Sequence, residues 1–286
     1  MSEWQRILWR EQPFPDNYVP PSFLADLRLN SNFRPFTYWS LVGASGTLIQ
    51  HICSISILLS VFIKLYTNQL DPRLLVLIIT STFIVGYALC EALSEEEGRT
   101  LRETRAKVIK SCILVFLTLI ALSPVLRTLT APTSSDSIWA LSAFLLFLCL
   151  VLADFRGPSA VRKRNESLQH VLSMNAGLAA SIVLCSRLSD NLSVFALVLF
   201  SLELFGLIPI FRNQLKITSS VISHSLTLVF IAIAVALQAS ISALATITIC
   251  SVLVFAMFCA PGLMIWAQQH KNEIRGPWDV AVPIVR

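Results

Sequence analysis

Residues 192–211 read LSVFALVLFSLELFGLIPIF, an apolar run whose single charge, Glu203, sits near the middle. A helix rises 1.5 Å per residue and needs about 20 apolar residues to cross the hydrocarbon core of a bilayer. This stretch therefore reads as one complete crossing. Working outward from it, comparable runs occupy residues 39–65, 74–92, 108–129, 137–153, 168–185, 217–237 and 241–266. Only Gln238, Ala239 and Ser240, a hinge without charge, part the last two. About 50 residues is too long for a single crossing, so these are two spans, or one broken or re-entrant segment. The expected fold class is all-α: a polytopic membrane protein of about eight transmembrane helices. A helical transmembrane domain at 39–266 lies between an N-terminal segment at 1–38 and a C-terminal tail at 267–286.

Composition agrees. The chain of 286 residues is 55% hydrophobic and 14% charged, with a mean hydropathy of +0.70. Soluble domains carry about 25% charged residues. Lipid must cover much of this surface.

Orientation follows from Lys and Arg, which accumulate in cytosolic loops. Of the 22 such residues, all but Lys64, Arg73, Arg127 and Arg187 fall at the chain ends or in every second loop. Both termini are thus expected in the cytosol, which requires an even number of crossings. The net charge of +5 is a topology signal, and no nucleic-acid partner is expected, because the basic residues sit in short loops beside membrane.

The seven cysteines lie within or at the ends of apolar runs, and none has a CxxC spacing. They read as small buried hydrophobes, not as a disulfide framework or metal site. The first 38 residues hold charges and five prolines and no apolar core. The first span is therefore expected to act as an uncleaved signal anchor. In the N-terminal segment, Gln12-Pro13-Phe14-Pro15-Asp16-Asn17-Tyr18-Val19-Pro20-Pro21 cannot be helical throughout, since its prolines remove donors and fix φ. The loop after the second span runs from Glu91 and Glu95-Glu96-Glu97 to Arg99, Arg102, Arg105 and Lys107. That order suits a helix dipole and continuation into the third span, as a self-paired solvated helix or a docking surface. Asn191-Leu192-Ser193 and Asn165-Glu166-Ser167 match the glycosylation sequon. One lies against the membrane and the other on the cytosolic side, so neither is expected to be modified. No internal repeat is evident.

Charged groups inside a membrane are costly and default to function. Glu203 and His224 lie at similar depth on either side of the short 212–216 turn, where antiparallel neighbours place them side by side. That intramembrane polar pair is either a proton-coupled or lipid-headgroup site, or a structural hydrogen bond with Ser201, Ser223 or Ser225 nearby. His51, beside Gln50, and Asn175, near Ser173, read as helix-packing residues. Gly43-Ala44-Ser45-Gly46 is a small-residue patch suited to close helix approach. Pro209 and Pro261 are expected to kink their helices. No phosphate-binding glycine loop, HExxH or nucleophile elbow is present. No catalytic residue, metal ligand or cofactor site is assigned.

Trp4, the string Gln12-Pro13-Phe14-Pro15-Asp16-Asn17-Tyr18-Val19, Phe23-Leu24 and Leu27 resemble the cytosolic start of the C-subunit family of phosphatidylinositol N-acetylglucosaminyltransferase, the PIG-C family. Lys271-Asn272-Glu273-Ile274-Arg275-Gly276-Pro277-Trp278-Asp279 is similar to that family's C-terminal signature. The middle of the chain matches mainly in hydrophobic pattern. Pro20-Pro21 departs from the polar or charged residue expected in relatives. The resemblance implies a multi-pass subunit of an endoplasmic reticulum complex. That complex transfers N-acetylglucosamine from its UDP sugar to phosphatidylinositol on the cytosolic face, the first step of glycosylphosphatidylinositol (GPI) anchor biosynthesis. It implies no cofactor for this chain, catalysis in a separate glycosyltransferase subunit, and membrane subunits and membrane lipid as further partners. The expected docking residues are Gln12, Pro13, Asp16, Asn17, Tyr18, Gly276, Pro277, Trp278 and Asp279. For Asp16-Asn17-Tyr18 the other reading is an Asx-type turn between prolines. A transporter or lipid scramblase is the alternative function. A lipid-modifying enzyme centred on Glu203 and His224 is a third.

Overall fold

The computed structural model describes residues 11–15, 18, 35–92, 99–153, 155, 168–218 and 220–268. Every regular element among them is helical: α1 (Tyr38–Tyr66), α2 (Pro72–Ala92), α3 (Arg99–Leu129), α4 (Ser135–Val151), α5 (Leu168–Cys185) and α6 (Asn191–Leu202). A π segment (Glu203–Leu207) joins α6 to α7 (Ile208–Thr218). Then come α8 (Ser220–Ala239), α9 (Ala243–Val254), a second π segment (Phe255–Cys259) and α10 (Ala260–Gln268). Seven stretches are long and apolar enough to cross a membrane, α6–α7 and α9–α10 each counting as one; α4 is a shorter apolar helix. At 17 residues, α4 is at the lower limit for a span. Counted with the seven, it makes eight candidate crossings among the described residues.

The two ends of the bundle fix the parity. The Phe36 amide donates to Gln268 Oε1 at 2.7 Å and Gln268 Nε2 donates back to the Phe36 carbonyl at 3.5 Å. Tyr38 Oη reaches the Phe258 carbonyl at 3.3 Å. The chain enters and leaves the bundle side by side, on what we call the terminal face. The last two spans are separate helices, turning back on each other through Ser240–Ser242.

Two helices form the core. In α1, 67% of the apolar window is buried, and in the α6–α7 span 56%, against 11% for α2 and 6% for α3. Around α1 pack α8, the second π segment, α10 and α4; around α6 pack α2, α3, α5 and α1. Exposed Leu, Ile and Val on α2, α3 and α9 face lipid. Lipid tails are as apolar as leucine, so burying these faces against each other offers no hydrophobic gain; close packing and interhelical hydrogen bonds hold the bundle. Trp39 and Trp266 are exposed at the terminal face, Tyr66 and Trp139 at the opposite one, as aromatic belts require.

Side chains cap three of the helices that start on the opposite face, α2, α4 and α6. Asp71 Oδ1 accepts from the Arg73 amide at 2.8 Å before α2, and Ser134 Oγ from the Ser137 amide at 3.4 Å before α4. Asp190 Oδ2 accepts from the Ser193 amide at 3.0 Å before α6. Each satisfies an orphan donor of a first turn. At the end of α1 the chain turns through Asn68, whose φ of 55° lies in the left-handed region that Asn tolerates. Two of the four basic residues assigned to this face are structural. Arg187 Nη2 donates to the Thr133 carbonyl at 2.6 Å and Arg127 Nη1 to Asn191 Oδ1 at 3.2 Å. Both tie one opposite-face turn to another, which explains basic residues away from the Lys/Arg-rich side.

Burial raises the Asp190 carboxyl, but hydrogen bonds from Ser193 and Ser189 outweigh it and hold the group below the ordinary carboxylate range. A lowered folded value means that the cap stabilises at neutral pH and is lost as pH falls through that range. Asp190→Ala is expected to cost about 1 kcal/mol at pH 7, and Asp190→Asn much less. In thermal unfolding of the detergent-solubilised protein, the wild-type advantage over Asp190→Ala should shrink on acidification. A constant difference from pH 7 to pH 3 would refute the ionised cap.

One expectation changes. Arg212 does not lie in a solvated turn between spans. Helix α7 continues through Thr218, and Arg212 is buried against α1, with Nη1 3.5 Å from the Thr47 carbonyl. Charge marks the end of the apolar run but not of the helix. Two spans share a local backbone feature. In each of the last two proline-bearing spans a 12-residue helix leads into a five-residue π segment, with proline two positions after it. The Ile208 amide bonds Glu203 and the Ala260 amide bonds Phe255. These i→i−5 closures absorb the register just before Pro209 and Pro261, which have no N–H to give.

Candidate functional site

The polar side chains of the bundle cluster along the terminal half of α1. His51 is buried, and its Nε2 is 3.2 Å from the Cys149 carbonyl, to which the ring donates in the tautomer with its proton on that nitrogen. Ser173 Oγ donates to the same carbonyl at 2.6 Å. Cys149 lies near the end of α4, where the last four carbonyls lack intrahelical partners. The Leu152 amide takes Leu148 and the Ala153 amide takes Leu150. Cys149 is left over, and helices α1 and α5 cap it with side chains. His51 is thus a packing residue, as its sequence setting suggests. Phe205, at 6.0 Å between ring centroids, and Phe155, at 6.2 Å, flank it edge-on.

One position earlier, Gln50 Nε2 donates to Thr227 Oγ1 at 2.7 Å and lies 3.3 Å from the Ser223 carbonyl, joining α1 to α8. Gly43 and Gly46 face the same helix, as the small-residue patch anticipates. A Cβ on Gly43 would stand 3.8 Å from His224 Nε2, and one on Gly46 3.5 Å from Thr227 Oγ1. These are ordinary contacts.

The expected side-by-side meeting of Glu203 and His224 takes a different form. Glu203, buried in the first π segment, accepts from Thr82 Oγ1 of α2 at 2.8 Å. His224 is exposed on α8 and faces α1 across Gly43. Rotation about the helix axes turns Glu203 toward α2 and His224 toward α1. Asn175 also departs from expectation: it is exposed on α5 while Ser173 is buried. Two residues apart on a helix is about 200° of rotation.

Of the docking residues, Gln12, Pro13 and Tyr18 are described. Tyr18 stacks on Phe14 at 4.6 Å and its amide donates to the Pro15 carbonyl at 2.9 Å. Asp16, Asn17, Gly276, Pro277, Trp278 and Asp279 lie outside the described residues, as does Asn165. Glu91 at the end of α2 pairs with Arg105 of α3, consistent with a self-paired loop. All seven cysteines are free. Among the described residues, no group of three or more His, Cys, Asp and Glu could hold a metal ion.

The residue that sequence reading missed is Gly177. A Cβ there would lie 2.7 Å from Cδ2 of Phe205, a ring that is fully buried. Only glycine admits this approach of α5 to the π segment. The small run Ala176-Gly177-Leu178-Ala179-Ala180-Ser181 was the available signal.

Residues 4–279 match the family described as phosphatidylinositol N-acetylglucosaminyltransferase, GPI2. The chain belongs to this family. It is 38% identical over 283 residues to the phosphatidylinositol N-acetylglucosaminyltransferase GPI2 subunit of Schizosaccharomyces pombe, covering 98% of this chain and 86% of that protein. It is 33% identical over 280 residues to the C subunit of phosphatidylinositol N-acetylglucosaminyltransferase from Homo sapiens, covering 98% of this chain and 92% of the human one. The GPI2 subunit of Saccharomyces cerevisiae is 27% identical over 300 residues, covering 99% of both chains. No solved structure matches. Family membership therefore rests on the whole chain and not only on its two ends.

Proposed function

We propose that this chain is a membrane scaffold subunit of the complex that transfers N-acetylglucosamine from UDP-N-acetylglucosamine to phosphatidylinositol, the first step of GPI anchor biosynthesis. The observation that carries this reading is the match, over nearly the whole chain, to proteins named as subunits of that transferase. The shape of the molecule supports a scaffold. Most of it is membrane helix, and the polar groups of its interior join helices to each other. In this reading the terminal face is cytosolic, the membrane is that of the endoplasmic reticulum, and a separate glycosyltransferase subunit performs the chemistry.

The docking residues Gln12, Pro13, Asp16, Asn17, Tyr18, Gly276, Pro277, Trp278 and Asp279 belong to the two segments that leave the bundle together at the Phe36–Gln268 clasp. That common exit supports one docking face for sister subunits and for presentation of phosphatidylinositol. Glu203 and His224 act in this reading as packing groups.

The test is purification of the tagged chain in mild detergent. Labelled N-acetylglucosamine transfer to phosphatidylinositol, with a co-eluting glycosyltransferase chain, is the expected result. Intact chain eluting alone and inactive across several mild detergents would overturn the proposal. Asp16→Ala with Tyr18→Ala should weaken recovery of partners by about tenfold or more, since interface hot spots cost about 2 kcal/mol or more. Membrane insertion should be unchanged. Normal recovery of partners would remove these two residues from the docking face.

A further inference from the structure

Glu203 stands at the middle of the α6–α7 span, whose apolar stretch runs from Asn191 to Leu215. Its side chain is 8% exposed. Oε1 accepts from the Thr82 hydroxyl of α2 at 2.8 Å. Thr82 has one proton and two competing acceptors, the Ile78 and Ile79 carbonyls at 2.9 and 3.0 Å. Oε2 takes no hydrogen bond among the described residues and is not sealed in the interior, so it reaches the surface of the bundle at mid-membrane. Burial and the Thr82 hydroxyl are the influences on this carboxyl; no Lys, Arg or His among the described residues acts on it.

Toward the terminal face, the seam beside Glu203 is open. Leu75, Ile79, Thr82 and Gly86 are spaced by three or four residues and share one face of α2, a helix that packs on α6 and α7. Leu75 and Ile79 are buried, and Thr82 bonds Glu203. At Gly86, one turn nearer the terminal face, an added Cβ would meet nothing within 4 Å. A Cβ at Gly43, Gly46, Gly177 or Gly206 would lie 3.8 Å or less from a neighbour. Past Glu203 on the other side of the seam, Leu207 and Ile210 are exposed. Helix α2 thus lies against the α6–α7 span up to Thr82 and parts from it beyond, with Glu203 at the closed end.

We propose that this open seam receives a lysine or arginine side chain from a transmembrane helix of a sister subunit, and that the cation pairs with Glu203. A carboxyl oxygen facing hydrocarbon without a donor is costly. An acyl chain in the seam brings no donor. Charge decides the occupant: intramembrane ionisable groups pair with one another, and this acid has no cation in the described part of its own chain. The space beside Gly86 is room for the aliphatic stem of a long cationic side chain. The missing Cβ also lets a second helix backbone come close. One oxygen of Glu203 packs α2 onto α6, and the other is left for the partner. This inference deepens the subunit reading and rests on it.

The test purifies the tagged chain with its subunits in mild detergent and measures the recovery of each membrane subunit. Glu203→Gln keeps the shape and the Thr82 contact and removes the charge. Gly86→Leu fills the seam from a position where a Cβ has open space. Each is expected to lower recovery of one and the same membrane subunit by about threefold or more. If Glu203→Gln fails to fold, Gly86→Leu carries the test. A hydrophobic carbodiimide, which modifies carboxyls that face lipid, reads the wild type directly. Glu203 should be protected in the complex and modified once a stronger detergent strips the subunits. Normal recovery of every subunit from both variants would overturn this inference and leave the subunit reading standing. So would equal modification of Glu203 with and without its partners. Wild-type chain that elutes with no subunit would overturn the subunit reading, and this inference with it.

Discussion

Gly177→Ala is expected to destabilise the protein more than alanine at any other glycine the sequence singles out. The added methyl would meet Phe205 at 2.7 to 3.0 Å along one edge of its ring. The ring cannot swing away, because it is fully buried and packed edge-on to His51. Overpacking of this kind costs about 1–3 kcal/mol. The readout is thermal unfolding and monodispersity of the detergent-purified protein. Gly43→Ala is the control: its Cβ would have 3.8 Å of clearance, and replacing a helical glycine removes a penalty of about 0.5–1 kcal/mol. It should be neutral or slightly stabilising. Phe205→Leu should rescue part of the Gly177→Ala defect, a non-additivity that marks a direct clash. Equal stability of Gly177→Ala and wild type would refute the close approach of α5 to the π segment.

The second large effect is at the Cys149 carbonyl. His51→Leu and Ser173→Ala each remove one of its two donors and leave the other. Interhelical hydrogen bonds in membranes average about 0.6 kcal/mol, so each single variant should be mild. The double variant leaves a buried carbonyl with nothing to accept from. It should fall below the sum of the singles by about 1–3 kcal/mol, the desolvation cost of an orphaned group. His51→Gln, which keeps an N–H donor, should restore much of the loss in the Ser173→Ala background. Strict additivity would show that the carbonyl finds another partner and that the α4 cap is not as described.

The spans were legible because apolar runs of crossing length have few other readings. Seven of the eight runs fall on helices long and apolar enough to cross a membrane and the eighth on the shorter α4, and the ambiguous pair at residues 217–266 resolves into a hairpin. The even parity inferred from Lys and Arg agrees with the Phe36–Gln268 pairing. Facing was not legible. Asn175 and Ser173 are neighbours in sequence and opposed in space, and Glu203 bonds Thr82 of α2 while His224 faces α1. In a soluble helix the polar stripe marks the outside, but here both lipid and protein neighbours are apolar, so periodicity carries little azimuthal information.

The sequence by itself determined the solvent of this protein, the apolar runs that become its long helices and, through the resemblance carried by its two ends, its family. Each depends on composition summed over a segment or on a contiguous string. Only the tertiary structure decided that α1 and α6 are central, that Gly177 and not the Gly43–Gly46 patch carries the strict demand for glycine, that Arg212 turns inward, and that the seam between α2 and the α6–α7 span opens beside Glu203. These depend on helix rotation and relative height, which arise from contacts between residues far apart in the chain.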